Sequence, residues 1–244
     1  MIALLALQSN QAVPLTIIAQ ELWGDRPPVS MRTALQTYIV QLRKCLARVL
    51  GWTTKAVAEK VLVTKQNGYQ LNLRHGDVDI HEFERLASAG SKALGQKDDR
   101  LAERLLTESL DIWRGKPLAD IQAGPLLEPT VTFLEEGRLS VLQQRVEVKF
   151  RLNLHHQLPA ELSVLVSEYP TNETFHAQYM LALYRCGRCA EALASYQQLR
   201  NYLAKELGID PSIRVQNLHR FMLEADPALD GTAGFMAEHA DRAK

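Results

Sequence analysis

The chain has 244 residues, 46% of them hydrophobic and 23% charged, as in a soluble globular protein large enough for one big domain or two smaller ones. No apolar run approaches the roughly 18 residues of a membrane span, and three cysteines (Cys45, Cys186, Cys189) are too few and too odd in number for a disulfide scaffold. A reducing cytoplasm suits them better. The 28 Lys/Arg and 28 Asp/Glu cancel to a net charge of zero, yet they are not evenly spread. Residues 1–75 hold nine basic and three acidic side chains, a balance of +6, and the remainder balances at −6. A basic front and an acidic back point to two modules with different partners.

In chain order, MIALLAL lacks the basic leader and small-residue cleavage site of a signal peptide, and reads instead as part of a buried helix. SNQAV and Pro14 separate it from a second helix, LTIIAQELW, which turns Ile18, Leu22 and Trp23 to a core and stops at Gly24. Asp25-Arg26-Pro27-Pro28 must be loop, because proline restricts its predecessor and cannot continue a helix. Ser30 is then the expected N-cap of a third helix running to about Leu50, with Leu35, Ile39, Leu42, Leu46 and Val49 in one apolar stripe.

At 100° per residue, Thr33, Thr37, Val40, Gln41, Lys44 and Arg48 fall on the opposite face, with Gln36 and Arg43 at its boundary. Taken alone, such a face is most simply a solvated helix surface. The segment beyond the helix shifts the balance. VLVTKQNGYQLNL alternates apolar and polar residues around Asn67-Gly68, which predicts a hairpin carrying Lys65 and Gln66 near its tip. Two helices, a longer basic helix and a hairpin is the order of a winged helix-turn-helix. Thr33, Thr37 and Gln41 are candidates for base edges, since a Thr methyl suits the thymine methyl and Gln can pair with adenine N6/N7. Arg32, Arg43, Lys44 and Arg48 suit phosphates, with Lys65 at the wing.

After Gly76 the character changes. Asp79-Ile80-His81-Glu82 reads as a capping box, and from there to about Leu223 the pattern is almost wholly helical. Ala102-Glu103, Ala160-Glu161 and Ala190-Glu191 each follow a polar turn, the last two pairs 30 residues apart, close to a tetratricopeptide-type helix-hairpin period. The small alanine is expected to permit close helix contact. Residues 225–244 lose the periodicity and read as a mobile tail.

Little in the chain suggests catalysis. It has no phosphate-binding loop, no G-x-S-x-G and no paired-carboxylate pattern, so neither an enzyme nor a bound cofactor is expected. Cys186-Gly187-Arg188-Cys189 has the spacing of a redox dithiol, but it stands in a helix-turn-helix rather than after a strand. It is read as an inter-helix turn. A lone pair of thiols also cannot complete a four-ligand zinc site, and His155-His156 is read as another repeat turn. Trp23, Trp52 and Trp113 are expected in the core or at a domain interface.

Five stretches together carry a resemblance: ELWGDRPP (21–28), LQTYIVQLRK (35–44), GYQL (68–71), DVDIHEFE (77–84) and ALYRCGRCAEALASYQQLRNYLAKELGIDPS (182–212). Their order and spacing over roughly residues 3–224 resemble the Streptomyces antibiotic regulatory protein family. The resemblance implies a mainly α fold: an OmpR-like winged-helix domain over residues 1–75, with a β-hairpin wing, then an all-α, tetratricopeptide-like transcriptional activation domain over 77–224. It implies an activator of secondary-metabolite gene clusters that binds double-stranded DNA as direct repeats and contacts RNA polymerase holoenzyme, the helical domain aiding homodimerisation, with no nucleotide and no membrane. Family members usually carry a short antiparallel sheet before the first helix, whereas Met1 stands almost directly on that helix. The expectation is an upstream start codon or a shortened variant with uncovered apolar surface. The alternative reading is a repeat-based protein-interaction adaptor whose front domain does not bind DNA.

Overall fold

The computed structural model describes residues 1–74 and 78–230. The chain divides into two compact units, one built from Met1–Arg85 and Ser109–Leu139, the other from Leu86–Glu108 and the chain from Ser140 onward.

In the first unit, α1 (Ile2–Leu7) buries Leu4 and Leu5, and α2 (Leu15–Trp23) buries Ile18 and Ala19. The stretch between them is not loop throughout. Ala12–Pro14 forms a short strand, β1, antiparallel to β3 (Gly68–Leu71), which in turn pairs with β2 (Leu62–Lys65) in the order β1-β3-β2. Three residues are too few to show alternation, but Val13 is fully buried and Pro14, the edge residue, needs no ladder donor.

The long helix α3 spans Met31–Leu50, as its stripe predicts. Leu35 and Ile39 are buried and Leu42 and Leu46 half-buried, but Val49 departs from the stripe at 83% exposed, the buried residue of the last turns being Ala47. Ser30 precedes the helix, but its side chain accepts no capping hydrogen bond; Gly51 ends the helix in the left-handed region, φ +67°. A short helix α4 (Thr54–Lys60) follows that the sequence pattern does not reveal. Thr53 Oγ1 caps it by accepting from Ala56 N at 3.2 Å, and Val57 anchors it in the core. Trp52, beside it, is 44% exposed rather than interior.

The hairpin lies one residue earlier than Asn67-Gly68 suggests. Lys65 pairs with Gly68, so Gln66 and Asn67 form the loop. Gly68 is needed for a different reason: a Cβ there would stand 2.0 Å from Val13 O, so the glycine lets β1 close on β3. Leu127, far along the chain, is fully buried in this same core, and Leu118, Ala123 and Leu126 pack against it.

The remaining helices are α5 (Asp79–Gly95), α6 (Asp99–Asp111), α7 (Glu128–Arg151), α8 (Leu158–Glu168), α9 (Glu173–Arg185), α10 (Cys189–Leu207) and α11 (Ile213–Leu223). The helical run is broken by an irregular segment, residues 112–127, where Gly115, Pro117, Gly124 and Pro125 deny it a helix. In the second unit α9 is the central helix, burying Phe175, Met180, Leu181 and Leu183 between α8 and α10. Asn172 caps it, its side chain accepting from Phe175 N at 3.2 Å.

The expected turns fall between α5 and α6, between α7 and α8, and between α9 and α10. Only Ala102 plays the close-packing part expected of it, at 0% exposed; Ala160 and Ala190 face outward while Leu158, Leu162 and Ala192 are buried instead. Two of the paired glutamates are ion-pair partners. Glu161 binds Arg145 and Lys149 (2.8 Å to the latter), and Glu191 binds Arg188 (2.7 Å). Burial alone would raise the Glu161 carboxyl; the Lys149 hydrogen bond and the Arg145 charge outweigh it and hold the group below its ordinary value. Of the segment read as a tail, Pro227–Asp230 forms a 3-10 turn with Leu229 fully buried and its carbonyl accepting from Arg185 Nε at 2.7 Å. Residues 231–244 lie outside the described part.

Candidate nucleic-acid interface

The turn from α2 to α3 sets the site. Gly24 (φ +59°) ends α2, and Met31 N donates to Pro28 O at 2.9 Å, a tight turn through Val29 and Ser30 that leads from the double proline into α3. The Trp23 and Tyr38 rings stack with centroids 6.4 Å apart, tying the end of α2 to the flank of α3. With Leu35 and Ile39 seated in the core, the opposite face of α3 is left to solvent.

That face carries most of the residues the sequence singles out. Arg32, Thr33, Gln36, Thr37, Gln41, Lys44 and Arg48 line α3 on its outer side or its boundary, and Lys65 and Gln66 are exposed on the hairpin. Among the described residues, Arg32, Lys44, Arg48 and Lys65 have no ion-pair partner, so their charge is uncompensated. Of the three acids in residues 1–74, Glu21 is buried, which leaves only Asp25 and Glu59 exposed against the cations. Thr37 Oγ1 donates back to Thr33 O at 3.0 Å, so its proton is spent within the helix and its methyl and lone pairs remain free.

Arg43 is placed differently from the other cations. It is half-buried, its Nε and Nη2 both donate to Leu62 O (2.9 and 2.7 Å), and Nη2 also reaches Thr64 Oγ1 at 2.9 Å. The guanidinium therefore ties α3 to the first wing strand. Its boundary position on the helical wheel hints at this, but only the wing's location identifies the acceptor. Val40, on the outer face yet absent from the sequence-based candidates, is 47% exposed between Thr37 and Lys44. An apolar side chain on a polar face is the signal by which the sequence could have marked it.

A second buried interaction holds the module from behind. The Glu21 carboxylate accepts from Gly124 N (2.7 Å), Leu126 N (2.9 Å) and Leu127 N (3.2 Å), the amides that run into α7. A carboxylate before a helix N-terminus meets unpaired donors and the positive end of the dipole. A Cβ on Gly124 would approach Glu21 O to 2.0 Å, so the glycine admits the contact.

The other sequence candidates are placed apart from this face. Cys186 and Cys189, both free thiols, bracket the α9–α10 turn, where Gly187 has φ +75°. His155 and His156 lie on the 3-10 turn before α8. The described residues include no group of three or more His, Cys, Asp or Glu able to hold a metal ion, and no helix long and apolar enough to cross a membrane.

Comparison with known proteins places this arrangement. Residues 78–223 match the model of the bacterial transcriptional activator domain. Over 228 residues the chain is 42% identical to the regulatory protein DnrI of Streptomyces peucetius, covering 93% of this chain and 84% of that one. The chain belongs to the Streptomyces antibiotic regulatory protein family. Members of this family are transcriptional regulators, and this chain is one of them. Another family relative, the regulatory protein AfsR of Streptomyces coelicolor, is 36% identical over 241 residues, although the chain spans only 23% of its length. Among solved structures, Mycobacterium tuberculosis EmbR in complex with a low-affinity phosphopeptide superposes with a TM-score of 0.82 at 28% identity, over 95% of this chain and 60% of EmbR. The fold, a winged helix with a helical repeat region, is thus shared with EmbR.

Proposed function

We propose that the chain is a sequence-specific DNA-binding activator of a secondary-metabolite gene cluster, with α3 lying in the major groove and the Gln66–Asn67 loop against the neighbouring backbone. The observation that carries the reading is the exposed polar face of α3, whose cations have no acidic partners while its opposite face is seated in the core. Thr33, Gln36, Thr37 and Gln41 then meet base edges, and Arg32, Lys44, Arg48, Lys65 and Gln66 meet phosphates and sugars. Arg43 positions the wing and touches no phosphate. Residues 1–75 are the DNA-binding domain and the helical region 77–224 contacts RNA polymerase and a second subunit, so that two copies occupy a direct repeat. The protein works in the cytoplasm, where that DNA is.

A gel shift on DNA from the gene cluster's own promoters tests the reading. Lys44→Ala is expected to weaken binding to every sequence and lower the salt slope by about one, whereas Gln41→Ala alters preference at one base pair, by roughly 1–3 kcal/mol. Loss of both effects removes α3 from the interface. No binding even at low salt leaves the helical region as a protein-interaction module instead.

A further inference from the structure

The first unit contains a hollow of about 460 Å³, in the size range of small-molecule sites. Ile80 and Phe83 of α5, Leu134 of α7, Leu118 of the irregular segment and Trp113 supply its apolar lining. Trp113 is itself held rigidly: its ring meets Phe83 edge-on at 5.2 Å, and the Arg138 guanidinium lies 5.4 Å from its centroid. An apolar lining with a fixed aromatic side chain suits a flat ring.

The rim supplies donors. Arg114 pairs with Asp79 at 2.9 Å across a largely exposed edge, which neutralises Asp79 but leaves other guanidinium N–H groups unspent by that bond. Lys116 is exposed on the same rim without an ion-pair partner among the described residues, and Asp120 is the remaining acid. The Lys116 ammonium and the remaining Arg114 N–H groups, beside an otherwise largely apolar lining, ask for an oxygen acceptor on one side of the ligand.

Leu118 connects the hollow to the winged-helix core. It lines the hollow, packs against the cluster that includes Ile18, Leu35 and Ile39, and does so at φ +55°, a backbone conformation that a branched residue keeps only where its surroundings impose it. A few residues on, Gly124, Leu126 and Leu127 are the amides gripped by Glu21 of α2. We propose that this hollow is an effector site for a small planar aryl compound bearing a carboxylate or ketone at one edge, and that occupancy is felt through Leu118 by the winged-helix core. The site needs no DNA to be tested, so its failure is distinct from failure of the DNA reading.

The experiment is an amide NMR titration of the full chain with 2-naphthoate. Saturable shifts are expected at Ile80, Phe83, the Trp113 indole and Leu118, with a dissociation constant on the order of 1 mM or tighter, as a ligand of this size allows. Lys116→Ala, on the exposed rim, is expected to weaken binding roughly 3- to 10-fold through loss of a charge-assisted hydrogen bond. Leu134→Trp, filling the hollow, abolishes it. The bound probe also slows hydrogen exchange at Gly124, Leu126 and Leu127. Unsaturable shifts spread over the surface, or an unchanged constant in folded Leu134→Trp, overturn the site. Equal affinity for 2-naphthylmethylammonium overturns the acceptor preference, and unchanged exchange at the three amides overturns the coupling to the core.

Discussion

The most informative single residue is Arg43, because two roles open to it make opposite demands on a lysine. Gripping Leu62 O and Thr64 Oγ1 requires a planar fork, which an ammonium cannot provide. Arg43→Ala is therefore expected to cost about 1.5–3 kcal/mol of stability and to reduce DNA binding by releasing the wing. Arg43→Lys fails to restore either. If lysine rescues the gel shift fully, the side chain is a phosphate contact after all. Val40 is the converse case, an apolar group exposed where polar ones surround it. With α3 in the major groove as proposed, it would match a thymine methyl, so replacing that thymine by uracil should weaken the wild type by about one methyl's burial, roughly 2- to 4-fold. Val40→Ala should be equally weak on both DNAs. A uracil scan of the operator that never separates wild type from variant would sink this assignment.

At the level of elements, the legible parts are those whose ends are marked. α2 and α3 match their expected spans because Pro14, Gly24, the double proline and Gly51 mark where each must start and stop. The apolar stripe of α3 likewise indicates which face turns outward, and most candidate contacts follow from that. β1 and α4 are not legible: three and seven residues are too short for either period to repeat, and both are held by partners distant in sequence. Arg43 escapes for the same reason, since a wheel gives direction but not the acceptor waiting there. Gly68 shows how an apparent turn residue can serve another element. It is expected to tolerate no side chain, because even a methyl would meet Val13 O. Gly68→Ala should cost about 1–3 kcal/mol as β1 is pushed from β3. The check is a urea melt followed by tryptophan fluorescence; a variant as stable as wild type would mean that the strands separate at no cost.

Across the whole molecule, the charge asymmetry is legible by counting, whereas the composition of the two units is not. Nothing periodic in residues 109–139 announces that they belong with the winged helix; the ties are Leu127 buried in its core and the buried carboxylate of Glu21, 103 residues from the amide it binds. The division also separates the shifted imidazoles, whereas in the first unit burial lowers the Met1 amino group, partly offset by the Glu21 charge. His155, His176 and His219 all belong to the second unit, and each is held below the ordinary histidine value of 6.5. Burial is the main cause in all three. It is joined at His155 by the charges of Arg185 and His156, and partly offset at His176 by its bond to Pro170 O and by Glu173. The unfolded chain therefore binds more protons than the folded one between the folded values and about 6.5, and stability rises with pH there. The contribution is complete above about pH 6.5 and is lost as pH falls through the folded values. Glu161, held below its ordinary 4.5, adds a second loss under more acidic conditions. Trp23, Trp52 and Trp113 all lie in the first unit, so indole fluorescence follows that unit while far-ultraviolet circular dichroism follows both. Between about pH 7.5 and 5.5 the dichroism midpoint is expected to fall further than the fluorescence midpoint. If the two move together, or neither moves, the three shifted imidazoles do not govern the acid stability of the helical unit.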